Sequence, residues 1–266
     1  MRRYATWSIL ASIITLGLAG GCDDFPKDPQ DTLGDVRGGT MRVGVSEAKP
    51  WVWREGEEPR GVEADLVREL ADELGAQVEW VWGSQDEHLA ALEHWQLDLV
   101  IGGLTQATPW SKRIGMSRPF VTYGVMIGFP RGIEVPLSFE GLEIAVPWGS
   151  PLSSRVERIG AEPVATRDWW QKGPQLQQPA AAADWAIRAW GMTNSGVELK
   201  QEKHVMAVPP GENGWLVYIE QFLHAREPDI PLRLEAAVRE LAQDPATAPA
   251  SAATAPATRT GAGEGP

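Results

Sequence analysis

Cysteine is almost missing from this chain: Cys22 is the only one in 266 residues. That excludes an internal disulfide and a multi-cysteine metal site. Histidine is scarce as well, and His88, His94, His204 and His224 show no ligand spacing, so neither a metal nor any other cofactor is expected. His88 and His94 are expected on the solvated face of a helix. No Gly-x-Ser-x-Gly turn occurs, which leaves nucleophilic hydrolysis without a motif. Basic charge is the minority, 24 Lys and Arg against 36 Asp and Glu, for a net charge of -12. A surface for nucleic acid would carry a basic stripe, so no nucleic-acid partner is expected. There is no internal repeat.

What is present suits a globular protein of one large or two small domains, at 43% apolar and 23% charged residues, with thirteen tryptophans to be placed. The ends have other compositions. Residues 1–21 combine Arg2 and Arg3, an apolar run from about Tyr4 to Ala19, and small residues, the layout of an export signal peptide. Leu18-Ala19-Gly20-Gly21-Cys22 resembles the bacterial lipobox, which implies acylation of Cys22 and a lipid-anchored protein on the periplasmic side of a bacterial membrane. The apolar run also approaches the length of an uncleaved spanning anchor. Residues 22–39 are polar and broken by Pro26, Pro29, Gly34 and Gly38-Gly39, and read as a lipidated tether. Residues 244–266 are nearly all Ala, Pro, Thr and Gly, too poor in apolar surface to offset chain entropy, and are expected to be disordered.

Between them, Met41–Val45 reads as a first strand, followed by a loop with the Trp51/Trp53 alternation. Val62, Leu66, Val67, Leu70, Ala71 and Leu74 fall at helical spacing from Gly61 to the stop at Gly75. Val78, Trp80 and Trp82 alternate as a strand, and Ser84 with Glu87 forms a capping box for the next helix. Leu99–Ile101 is a strand buried on both faces, closed by Gly102-Gly103. The order of strand and helix favours a parallel sheet, and ligands of such sheets sit at the carboxyl ends of strands. Leu104, Thr105, Thr108 and Trp110 are therefore the first candidates for ligand contact.

Val121–Phe129 is a strand long enough to run from one lobe into another, and Ile144–Val146 opens a new unit. There Gly149-Ser150-Pro151 offers an N-cap and a first helical residue, whose free N–H groups would suit an anion. Asp184 follows the small apolar run Ala180–Ala183, so it is either a group for a ligand's cation or donor, or a helix cap. His204–Val208 reads as the return strand, and two helices close the fold around Trp215–Leu223 and Leu232–Leu241.

Taken together, Met41-Arg-Val-Gly-Val, GVEADLVRELADELG from Gly61, LDLVIGGLT from Leu97 and Ser117-Arg-Pro-Phe resemble the extracellular solute-binding proteins of family 3, the polar amino-acid type found with ABC importers. The resemblance covers about Gly39 to Leu241. It implies an α/β, two-lobed periplasmic-binding-protein fold of type II, with a ligand cleft between lobes joined by two crossing segments. Lobe 1 would take residues 40–128 and 205–243, and lobe 2 residues 129–204. It implies a monomer without catalytic function that closes by a hinge on a small-molecule ligand and serves a membrane permease. By position, Gly103 and Thr105 would hold polar ligand atoms, Trp51 or Trp53 would stack, Gly149 and Ser150 would offer backbone donors, and Asp184 would hold an amino group. Two other functions share the fold: a cyclohexadienyl dehydratase-like enzyme, with Glu47 and Asp184 as acid or base, and a ligand-sensing receptor subunit.

One position departs from the family. Counting from Thr105, Trp110 stands where the family has an arginine that clamps a carboxylate with forked hydrogen bonds, and Gln85 stands at a second stacking position. A tryptophan cannot form that ion pair. The resemblance thus carries the fold further than it carries the amino-acid ligand. A cleft walled by Trp51, Trp53, Trp110 and Trp148 near Asp184 would suit a flat or cationic ligand instead.

Overall fold

The computed structural model describes residues 28–243, so the expected signal peptide, Cys22 and the tail from residue 244 lie outside the described residues. Twelve strands follow one another among these: β1 Thr40–Val45, β2 Trp53–Glu55, β3 Glu58–Arg60, β4 Gln77–Trp82, β5 Leu99–Ile101, β6 Gly115–Met116, β7 Val121–Phe129, β8 Glu143–Pro147, β9 Glu162–Thr166, β10 Ala180–Ala183, β11 Thr193–His204 and β12 Ala207–Val208. They form two five-stranded sheets and a hairpin: β4-β1-β5-β12-β6, β11-β7-β10-β8-β9, and β2-β3. In the first sheet β1, β4 and β5 run parallel, with β12 antiparallel to β5 and β6. In the second β8, β9 and β10 run parallel, while β7 is antiparallel to β10 and β11. This is the two-lobed fold that the sequence implies, and the β7–β11 pair crosses between the lobes.

Local chemistry explains the first lobe. Helix Val62–Leu74 buries its stripe of Val62, Leu66, Val67, Leu70, Ala71 and Leu74, and ends at Gly75 with φ 63°, which a residue without Cβ adopts freely. Ser84 and Glu87 exchange both hydrogen bonds of a capping box at the start of helix Gln85–Glu93. β5 is buried throughout. At the centre of the core, Trp215 is wholly buried and its Nε1 donates to the Asp98 carbonyl at 2.7 Å.

Several expectations need correction. His88 is buried, with Nε2 3.2 Å from the Val45 carbonyl, because its face of the helix packs on the sheet. The return connection is longer than His204–Val208: β11 begins at Thr193. The helix after Ser150 begins at Ser153 and has five residues, because Ser150 Oγ accepts from Leu152 N and closes a turn first. The polar stretch before residue 40 is not all tether, since Thr32–Val36 is a helix with Thr32 and Val36 buried. Its anchor is Glu212, 1% exposed, whose two carboxylate oxygens accept from Gln30 N and Thr32 N. Glu212→Ala is expected to release this segment and to cost about 2 kcal/mol. Urea denaturation and faster amide exchange at Gln30 and Thr32 check it.

Helix Ile230–Gln243 packs against Val62–Leu74 of the first lobe and against Trp169–Lys172 and Asp184–Ala189 of the second. Its ion pairs do likewise: Arg233 with Glu69, Glu240 with Arg60, and Glu235 with Arg188.

Candidate functional site

The carboxyl ends of β1 and β5 deliver Ser46 and Gly102-Gly103 to one edge of the first sheet, where Ser46 N donates to the Ile101 carbonyl. Gly102 has φ 141° and Gly103 φ 66°, backbone shapes that a side chain resists. A Cβ at Gly102 would meet Ser46 O at 2.7 Å, so the turn is pressed against the end of β1. Helix Val62–Leu74 starts at the same edge. Glu63 is fully buried, donates its own N–H to the Trp51 carbonyl, and takes the N–H groups of Gly102 and Gly103 on Oε2 at 2.8 and 2.9 Å. Burial pushes its carboxyl up to about 7.

The crossing strands bring a second set of groups. Lys200, Glu202 and His204 alternate along β11 and so share a face, opposite Tyr123 on β7. Tyr123 Oη donates to Glu202 Oε2 at 2.7 Å, and Lys200 Nζ to Glu202 Oε1 at 2.6 Å. His204 Nε2 lies 2.9 Å from Tyr123 Oη. With the hydroxyl hydrogen committed to Glu202, Nε2 carries the proton of a neutral imidazole, and Nδ1 is left buried without a partner. His204, whose Nε2 lies 3.5 Å from Glu202 Oε2, and then the hydrogen bonds from Lys200 and Tyr123 hold the Glu202 carboxyl down at about 2. Burial lowers the His204 imidazole and raises the Tyr123 phenol.

Trp51 joins the two sets. Its ring stacks on His204 with centroids 3.9 Å apart, and meets Phe120 at 6.1 Å and Trp185 of the second lobe at 6.3 Å edge-on. Trp170 stacks in turn on Trp185. Beside this cluster lies a cavity of about 230 Å³ lined by Thr105, Gln106, Ala107 and the Lys200–Lys203 stretch.

The residues expected at a ligand site are thus distributed unevenly. Trp51, Gly103 and Thr105 gather at the strand exit, although the Gly103 N–H is taken by Glu63. Asp184 starts the helix Asp184–Ala189 at the exit of β10, is half-buried, and pairs with Arg188 at 3.3 Å. Leu104 is 1% exposed and packs in the core with Leu92, Val100 and Ile114. Trp53 lies against Gly61 and a surface hollow shared with Arg233 and Glu240. Trp110 donates through Nε1 to Asp86 at 3.2 Å, with the Arg113 guanidinium 4.6 Å from its ring. Trp148 is exposed and carries Arg167 at 4.1 Å. Gly149 forms an exposed turn, and Ser150 N donates to the Pro147 carbonyl. The four-tryptophan wall is therefore not assembled, and the chain's own guanidinium groups lie over two of its rings. The sequence alone does not place Tyr123, Glu202 and His204 at the site, yet the period-two run Lys200, Glu202, His204 is a legible signal of a polar strand face.

Among the described residues no group of three or more His, Cys, Asp or Glu side chains is placed to hold a metal ion, and no helix is long and apolar enough to cross a membrane.

The family model of the bacterial extracellular solute-binding proteins, family 3, matches residues 41–246. No curated protein sequence matches the chain. Among solved structures, an ancestral cationic amino-acid solute-binding protein aligns with a TM-score of 0.63 at 21% identity, over 77% of this chain and 98% of its own. The L-cystine solute receptor of Neisseria gonorrhoeae, unliganded and open, aligns at 0.60 and 16% identity, over 77% and 94%. A lysine-complexed binding component of an ABC transporter from Wolinella succinogenes aligns at 0.54 and 18% identity, over 76% and 93%. At these identities the likeness is one of fold.

Proposed function

Because the chain belongs to the bacterial extracellular solute-binding proteins of family 3, we propose that it captures a small polar or amino-acid-like solute between its lobes by hinge closure and passes it to the permease of an ABC importer. Cys22 would carry the lipid that holds it at the periplasmic face of the membrane. The observation that carries this reading is the contact of Trp51 from the first lobe with Trp185 from the second, in ring contact with Tyr123 and His204 of the crossing β7–β11 pair. A solute that makes better contacts with the lobes together than apart shifts them towards closure, and side chains at that seam feel the shift.

The departure at residue 110 bears on the solute. Trp110 is turned to Asp86, and Arg113 is paired with Glu93 at 3.0 Å, so neither supplies the forked clamp for a carboxylate. The solute is accordingly one that does not depend on that clamp. Glu47 and Asp184, the carboxylates that a dehydratase would use, pair with Lys49 at 3.8 Å and Arg188 at 3.3 Å, which supports capture over turnover.

A thermal-shift screen with amino acids, polyamines, betaines and aromatic acids tests this. A solute at about 100 times its Kd adds about 2.7 kcal/mol, a rise in Tm of about 5–10 °C for a chain of this size. One chemical class is expected to give that rise and to be recovered unchanged. Hits confined to ordinary α-amino acids would overturn the loss of the clamp, and consumption of the solute would overturn capture itself.

A further inference from the structure

Glu63 does more than its place in the helix requires. A single oxygen, Oε2, accepts two consecutive N–H groups, while Oε1 is buried with no partner. Ser46 Oγ, at the same edge of the sheet, is equally buried and unpartnered. The two N–H groups belong to the turn that directs Leu104 into the core and Thr105 toward the cavity of about 230 Å³. A carboxylate accepts backbone N–H groups about twice as strongly as a neutral oxygen does, so the turn is held most firmly when Glu63 is charged.

We propose that Glu63 is a positioning residue for the solute-contacting turn: its carboxylate latches Gly102 and Gly103, and uptake of a proton slackens the latch. The latch rests on the solute-binding reading for its use, though not for its existence. It would couple the presentation of Thr105 to the pH outside the cytoplasm.

Its surroundings fit such a switch. Burial raises the carboxyl to about 7 and the two backbone bonds oppose that rise, with no charged neighbour contributing. The charged groups of the adjoining elements are engaged with one another: Glu47 with Lys49 after β1, and Asp65 with Arg68 on the helix.

The amide signals of Gly102 and Gly103 in the isotopically labelled full chain, followed by NMR from about pH 5 to about pH 9, test the latch without any solute. Both are expected to titrate together with a midpoint near 7. Glu63→Gln keeps an oxygen for the two N–H groups and should abolish the titration. Amides that stay flat in the wild type, or that still titrate in E63Q, would overturn the latch; should E63Q not fold, the wild-type titration decides alone. A parallel thermal-shift screen with amino acids, polyamines, betaines and aromatic acids separates the two claims. Flat amides with solute binding overturn the latch only, and titrating amides with no binder in that screen overturn the solute-binding reading only.

Discussion

Trp51→Ala is expected to lower the free energy of unfolding by about 3–5 kcal/mol, the range for removing a large aromatic side chain from a core. The ring is 4% exposed and is enclosed by Phe120, Tyr123, Trp185 and His204, which come from the first lobe, both crossing strands and the second lobe. Those partners lie on separate elements, so they cannot all collapse into the vacated space, and the cavity term adds to the lost burial. The His204 imidazole loses its stacked neighbour as well, with Nδ1 already unpartnered. Trp51→Phe should recover most of the loss. Urea denaturation with an unchanged slope checks the magnitude, and a loss under about 1 kcal/mol would mean that the ring does not join the lobes.

Glu202→Gln is expected to cost about 3 kcal/mol at neutral pH and to flatten the acid limb of the stability curve. The carboxyl is held at about 2 in the folded chain against 4.5 for the free group, first through the nearby His204 imidazole and then through Lys200 and Tyr123. A folded value below the unfolded one means that stability is present in full above about 4.5 and is lost as pH falls through about 2. A difference of that size corresponds to about 3 kcal/mol, since one pKa unit is about 1.4 kcal/mol. The side chain is 21% exposed, so solvent screening removes little of it. In the variant the Tyr123 hydroxyl and the Lys200 ammonium keep a neutral amide as partner, and the stability difference from wild type should vanish near pH 2. Thermal denaturation of both proteins across that range decides it.

Much of the scaffold is legible in the residues. The Gly61–Leu74 stripe, the Ser84–Glu87 box and the apolar runs at Leu99–Ile101, Val121–Phe129 and Ala180–Ala183 all became the elements that their periodicity and caps predict. These signals are local, set by spacing and by backbone donors within one turn. The site is less legible because it is made of pairings across distance. Glu63 reads in the sequence as one more residue of a helix signature, and only the fold shows its carboxylate on Gly102 and Gly103. Thr32–Val36 looks like polar tether until Glu212, about 180 residues later, is found holding its start. His88 looks solvated because its neighbours Glu87 and His94 are exposed, whereas its own face of the helix lies on β1. Trp110 shows the opposite case. Its identity alone marks the position where the resemblance implies an arginine, and the structure adds that the ring is turned to Asp86.

Closure of the two lobes on a solute across the β7–β11 crossing is read most directly from the distance between spin labels on the two lobes. Gln96 in the first lobe and Glu157 in the second are exposed and suited to labelling, and Cys22 is the only native thiol to replace. A solute giving a thermal shift is expected to move this distance distribution to a shorter, narrower one, with the shift saturating at the same Kd as binding. A distribution unchanged at saturating solute would contradict it.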